Sequence, residues 1–205
     1  MTRYGMAIDL NRCMGCQTCA MYCKAANNLP NDVWYQRVVT EGGGYTDASG
    51  GTSDDPKLGF RPIACQHCDE PACAAVCPVG ATYKDPDTGV VMQDTSICIG
   101  CQSCMQACPY DVRTYIDDPE YSLDFAVGYQ TAPEHRPSTV EKCNFCAARL
   151  DEGEEPACMI LCPARARYYG DLDDPQSAVN KAMAGRETEQ LLPEEGTSPC
   201  VYYLV

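Results

Sequence analysis

Apolar positions in this chain come in short bursts rather than long amphipathic stripes. Met6-Ala7-Ile8 and Val90-Val91-Met92 are brief apolar runs, each leading to an aspartate, Asp9 or Asp94, that stands four residues before a cysteine. Both runs read as short strands feeding a cysteine loop. Thr82-Tyr83 and Val90-Val91 flank the turn Asp85-Pro86-Asp87-Thr88-Gly89 and predict a hairpin. VWYQRVV (33–39) has the content of a strand, and KAANNLP ends a helix at Pro30. RARYY predicts a further strand, and Asp173/Asp174-Pro175 starts a helix over 176–184. VYYLV (201–205) predicts an edge strand, on this chain or on a partner. The Gly/Asp-rich stretch 42–59 cannot form a core and is expected as a surface loop. A second insertion, 110–142, is acidic around Asp117, Asp118 and Glu120 and apolar over 123–127. Its Tyr115, Tyr121, Phe125 and Tyr129 are costly to leave in water, so a role in covering a partner is expected. The fold class these patterns imply is α+β, built of short hairpins, short helices and long insertions.

With only three Phe and one Trp in 205 residues, the apolar core is thin, while cysteines number 17. The chain must be held by disulfides or metal. MTRYGMAIDL lacks the apolar core of a signal peptide, which disfavours disulfides. No run of 18 apolar residues is present, so no direct membrane span is expected. Fifteen Lys+Arg against 29 Asp+Glu give a formal net charge of −14, which excludes nucleic acid as a natural partner.

Sixteen cysteines fall into four groups: Cys13, Cys16, Cys19, Cys23; Cys65, Cys68, Cys73, Cys77; Cys98, Cys101, Cys104, Cys108; and Cys143, Cys146, Cys158, Cys162. Every group opens with two intervening residues and closes with three, while the middle gap is two, four, two and eleven. This is an internal repeat. CIGCQSCMQACP (98–109) is the C-x2-C-x2-C-x3-C-P run that binds cubane clusters in bacterial ferredoxins, where the fourth cysteine ligates the other cluster of a pair. Four 4Fe–4S clusters follow. By the crossover rule Cys65, Cys68 and Cys73 hold one cube with Cys108, and Cys98, Cys101 and Cys104 hold its neighbour with Cys77. Cys13, Cys16 and Cys19 then take Cys162, and Cys143, Cys146 and Cys158 take Cys23. Sequential pairing of group one with two and three with four is the rival.

The implied organisation is two interlocked ferredoxin-like modules. Residues 1–35 with 138–186 form one and 61–115 the other; 36–60 and 116–137 are insertions and 187–205 a tail. Zinc is the competing ion, and the fourth group alone could pass for a zinc site. Cys200 has no ligand spacing and reads as a packed thiol. His67, between two ligands, either bonds a sulfur or carboxylate or is exposed; His135 carries no functional reading. Met105, Met159 and Ile160 are expected against cluster faces. Arg12, Lys24, Lys142 and Arg149 flank ligands and either raise a potential or balance charge. No catalytic constellation is present, and a cube saturated by thiolates has no open position for substrate. Its work is outer-sphere electron transfer.

CMGCQTCAMYCK, CQHCDEPACAAVCPVGA, CIGCQSCMQACPYDVR and KCNFCAARLDEGEEPACMILCP resemble the four motifs of the electron-transfer subunit of the DMSO reductase superfamily of molybdopterin oxidoreductases. GDLDDPQS is similar as well. The resemblance covers nearly the whole chain. With all four ligands present in the fourth group, it resembles the polysulfide, thiosulfate, arsenate and DMSO reductase branches. It implies the ligand crossing given above. It also implies a large catalytic partner with a molybdenum or tungsten bis-pterin cofactor, and a membrane quinone-binding anchor or other redox partner. Such subunits are carried across the membrane with their catalytic subunit, which implies a membrane-associated complex on the periplasmic or outer face; a cytoplasmic complex is the alternative. The tail is too short for the membrane helix of formate-dehydrogenase-type relatives. The alternatives are a subunit of a hydrogenase or other redox complex, a zinc-stabilised interaction module without redox function, and, less favoured, a free ferredoxin.

Overall fold

The computed structural model describes residues 2–41 and 49–205. β1 (Tyr4–Asp9) runs through a cysteine loop into α1 (Thr18–Ala26), which Asn27 ends ahead of Pro30. β2 (Gln36–Glu41) returns against β5 (Gly59–Ala64), with β3 (Gly50–Gly51) and β4 (Pro56–Lys57) as a small hairpin between them. The strand expected from residue 33 starts three residues later: Val33 and Tyr35 pack with Leu29 and Ile116, and pairing with β5 begins at Gln36 opposite Ala64. Of the Gly/Asp-rich stretch, residues 42–48 lie outside the described residues; 51–58 are exposed, as expected of a surface segment.

The middle of the chain follows its sequence closely. α2 (Ala72–Ala75) precedes the hairpin β6 (Thr82–Lys84) and β7 (Val91–Gln93), closed by Gly89 N–H donating to the Asp85 carbonyl. α3 (Ser103–Gln106) is again one turn. α2 and α3 stop where they do because proline follows the fourth cysteine of each group, at Pro78 and Pro109, and proline cannot continue a helix. β8 (Thr114–Ile116) pairs with β9 (Thr139–Glu141) across the second insertion. α4 (Ala147–Asp151) and α5 (Ala157–Ile160) lead to β10 (Arg167–Asp171). α6 (Ala178–Met183) begins two residues later than predicted because Ser177 is its cap, accepting from Asn180 N–H at 3.3 Å. β11 (Thr188–Glu189) and β12 (Val201–Leu204) complete an α+β fold of short helices and small sheets.

The largest sheet has the order β10-β1-β12-β11. This corrects the expectation of an edge strand at 201–205. β12 lies inside the sheet, parallel to β1 (Met6 opposite Val201) and antiparallel to β11. The reason is burial on both faces. Val201 and Tyr203 pack with Met6 and Ile8, while Leu204 packs with Ala7 and Val179 under α6. Cys200 is fully buried just before this strand, and burial, with Asp69 alongside, pushes its thiol up to about 12. The packed-thiol reading fits. Apolar side chains form several small clusters around the cysteine loops, and cysteines themselves belong to two of them.

The insertion between β8 and β9 is tied down by a polar anchor that the sequence did not reveal. His135 and Glu141 have side chains 1 % and 3 % exposed, with Nδ1 2.6 Å from Glu141 Oε2. Nε2 meets the Asn27 carbonyl at 2.9 Å, and Tyr35 donates to the same Glu141 oxygen at 2.8 Å. The Asn27 carbonyl can only accept, so Nε2 carries a proton, and Nδ1 faces the Glu141 carboxyl. Burial opposes a charge on the ring, but Glu141 outweighs it and the His135 pKa is raised. Tyr129 is also used within the chain, against Tyr22 and 4.1 Å under the Arg149 guanidinium. Leu123, Phe125 and Val127 remain on the surface. Because the folded pKa of His135 lies above its unfolded value near 6.5, the stabilisation is complete below about pH 6.5 and is lost as pH rises through the folded pKa. Thermal unfolding followed from pH 5.5 to 9 should show this decline. His135→Ala should abolish it and cost about 3–5 kcal/mol by leaving Glu141 buried and unpaired.

Candidate metal centres

Each cysteine group is folded by the same backbone device. The residue immediately before the second cysteine is left-handed in all four: Gly15 (φ 67°), His67 (φ 44°), Gly100 (φ 64°) and Phe145 (φ 59°). A left-handed residue lets successive N–H groups turn toward one point, a concavity suited to negative charge. Glycine is required in the first and third loops by space as well as by φ. A Cβ at Gly15 would stand 2.4 Å from the Phe60 ring, and one at Gly100 would stand 2.3 Å from the Ser138 carbonyl oxygen. The second and fourth loops keep side chains in this strained region because the two side chains pack on each other. The His67 and Phe145 rings meet edge to face, centroids 5.0 Å apart, and both are buried. His67 is therefore not the exposed residue that the sequence left possible.

The structure draws together cysteines from groups far apart in sequence. Cys13, Cys16, Cys19 and Cys162 line one cavity. Cys23, Cys143, Cys146 and Cys158 line another, with Cys65 also in its wall. Cys73 lies within electrostatic reach of Cys65 and Cys108, Cys68 of Cys65 and Cys73, and Cys101 of Cys77. Helix packing follows the same scheme, α1 on α5 and α2 on α3. Links between sets run from Cys143 to Cys65 and from Cys158 to Cys19. Cys16 and Cys101 are exposed, whereas Cys23 and Cys65 are buried. None of the 17 cysteines is in a disulfide. Among the described residues no three Cys, His, Asp or Glu side chains converge tightly enough for a single ion. Four thiols around each cavity are the donor set that a 4Fe–4S cluster takes.

The surroundings act on the cysteines in opposite directions: burial raises the thiols of Cys13, Cys23, Cys143 and Cys158 among others, whereas those of Cys16, Cys65, Cys77 and Cys101 are lowered. Backbone N–H groups of Thr82, Phe145 and Ala166 donate to the sulfurs of Cys77, Cys143 and Cys162, each at 3.4 Å. Lys142 is buried, its ammonium donating to the carbonyls of Val91 and Cys143. Burial alone would raise the Cys65 thiol, yet hydrogen bonds from His67 and the Lys142 charge hold it below the usual thiol range. His67 Nδ1 accepts from Val91 N–H at 3.2 Å, which leaves its single proton on Nε2, beside Cys65. Of the other flanking cations, Arg12 bonds Tyr168, Lys24 two carbonyls, and Arg149 the Glu155 carbonyl with Glu154.

Two arginines escaped the sequence reading. Arg167 is buried and donates to Cys19 Sγ at 3.3 Å, Cys158 Sγ at 3.6 Å and Gln36 Oε1 at 2.9 Å. Arg113 is buried with its Nε and one terminal nitrogen unpartnered among the described residues. A sequence signal existed: each stands five positions after the cysteine of a Cys-Pro pair, Cys108-Pro109 or Cys162-Pro163.

Among the described residues no helix is long and apolar enough to cross a membrane. The 4Fe–4S dicluster domain family matches residues 56–172. An iron–sulfur subunit of a dimethyl sulfoxide reductase of Halobacterium salinarum is 44 % identical over 100 % of this chain and 79 % of its own length. The arsenate respiratory reductase iron–sulfur subunit of Shewanella sp. is 38 % identical over 98 % of this chain and 96 % of its own. One of the chains of the polysulfide reductase of Wolinella succinogenes is 36 % identical over 98 % and 93 %. The donor set, the cavities and these relatives agree: this protein belongs to the 4Fe–4S dicluster family, among the iron–sulfur subunits of the molybdopterin oxidoreductases.

Proposed function

We propose that this chain is the electron-transfer subunit of a molybdopterin reductase complex, holding four 4Fe–4S clusters in two interlocked pairs. The observation that carries the pairing is the cavity wall shared by Cys13, Cys16, Cys19 and Cys162, residues from opposite ends of the sequence. The second set is Cys143, Cys146, Cys158 and Cys23, the third Cys65, Cys68, Cys73 and Cys108, and the fourth Cys98, Cys101, Cys104 and Cys77. Bound there, the clusters take up and release single electrons over a potential range set by their surroundings. The chain fixes sixteen sulfurs, leaves no exposed cysteine in the inner sets and leaves one in each outer set. The links from Cys19 to Cys158 and from Cys143 to Cys65 support one linear order through the molecule.

A wire of this kind needs a partner at each end. The relatives are named as parts of larger reductases, which supports a large molybdenum or tungsten bis-pterin catalytic subunit at one end. A membrane quinone-linked anchor or other carrier would take the other. A membrane-associated complex on the periplasmic face accords with this arrangement.

Anaerobic preparations should contain about sixteen iron atoms per chain; a content near four to eight would defeat the scheme. The pairing is tested by electron paramagnetic resonance on single substitutions. Cys16→Ser and Cys162→Ser should alter one common signal, and Cys146→Ser and Cys23→Ser a different one. Sequential pairing would instead leave Cys16→Ser and Cys162→Ser with different signals. Affinity capture should bring down a large chain containing molybdenum or tungsten.

A further inference from the structure

Arg167 lines both cavities, the one walled by Cys13, Cys16, Cys19 and Cys162 and the one walled by Cys23, Cys143, Cys146 and Cys158. Its two terminal nitrogens divide between them, one to Cys19 and the other to Cys158. Among the described residues no carboxylate pairs with it; Gln36 Oε1 and the Met6 sulfur are its remaining partners. A guanidinium is costly to bury without countercharge, so the sulfurs on its two sides are its counterions.

Arg113 occupies the corresponding place in the internal repeat. One terminal nitrogen donates to Thr82 Oγ1 at 2.7 Å and to Gln93. Thr82 in turn donates its N–H to Cys77, a cysteine of the outer set. The Arg113 charge also acts on Cys73 and Cys108, of the inner set. Its Nε and remaining terminal nitrogen have no hydrogen-bond partner among the described residues, sulfur included, although the side chain is buried. They remain available to the sulfurs of a bound cluster, whereas Arg167 already donates both terminal nitrogens to cysteine sulfur.

We propose that Arg167 and Arg113 are repeat-related bridging cations, each placed between the two cluster sites of one pair and each setting the potentials of both neighbours together. This rests on the four-cluster reading. Reduction adds one negative charge to a cluster, and a fixed cation with N–H groups aimed at sulfur stabilises that charge. A cation shared by two sites favours reduction at both. Arg113 and Arg167 are positioning residues, not ligands.

The test is a potentiometric titration of the intact complex followed by electron paramagnetic resonance, with iron and sulfide measured on the same samples. In Arg167→Gln, the two signals assigned through Cys16→Ser and Cys146→Ser should both move to lower potential. The expected change is at least tenfold in the reduced-to-oxidised ratio, or about 59 mV for one electron. The other two signals should stay in place, and Arg113→Gln should show the reverse pattern. Arg167→Lys keeps the charge but cannot reach both sulfurs, so one of the two signals should recover. Unmoved potentials, or a shift confined to one cluster in Arg167→Gln, would overturn the proposal. If Arg167→Gln loses iron, Arg167→Lys decides: a full iron complement with a shifted signal supports the bridge, and wild-type potentials or loss of iron again overturn it. The four-cluster reading fails separately, by an iron shortfall in the unsubstituted complex.

Discussion

Gathering sulfur anions inside an already acidic chain is the constraint on which this structure depends. With a formal charge of −14 before any thiolate is counted, the chain gains nothing from bringing sixteen cysteines together unless their charge is met locally. The left-handed turn before each second cysteine meets part of it, by aiming backbone N–H groups inward. Arg113, Lys142 and Arg167 meet another part, and all three are buried with no carboxylate partner among the described residues. Carboxylates are kept away from sulfur or neutralised. Asp9 is paired with Arg186, and Glu141 is held by His135 and Tyr35.

The four loops share one backbone plan, yet the residue at their left-handed position differs with location. Gly15 and Gly100 lie in loops whose second cysteines, Cys16 and Cys101, are exposed, and there another segment presses against the backbone. His67 and Phe145 lie in the two loops that face each other, and their rings fill the space between the third and second cysteine sets. A strained φ is tolerated there because two buried aromatic side chains hold each other in place. The apolar content of the chain is thus spent around metal sites rather than on one continuous core.

Much of this was legible in the residues. Cysteine spacing and the proline after the fourth ligand identified the loops, and Asp85-Pro86-Asp87-Thr88-Gly89 marked the hairpin, because both signals are local. The place of β12 was not legible: VYYLV reads as a strand from its own composition, but its neighbours are set by residues nearly two hundred positions away. His135 looked idle for the same reason, since its partners Asn27 and Glu141 become neighbours only in the fold. Arg167 gave no sign by adjacency, because it flanks no cysteine in sequence and the sulfurs it meets belong to Cys19 and Cys158. The repeated Cys-Pro-x-x-x-Arg pattern held the clue.

The position of β12 between β1 and β11 also bears on how the molecule comes into being. Synthesis delivers Tyr4–Asp9 first, but this strand acquires its two sheet neighbours only when residues 167–171 and 201–204 have emerged. On the proposed pairing the thiols of Cys13, Cys16 and Cys19 would likewise wait for Cys162, while Cys65, Cys68, Cys73 and Cys108 would all appear within one interval of 44 residues. A growing polypeptide can therefore organise residues 65–108 on the ribosome before β1 meets β12, whose residues follow nearly two hundred positions later. On the proposed pairing, the site closed by Cys162 would be filled later than the site whose ligands all lie within residues 65–108.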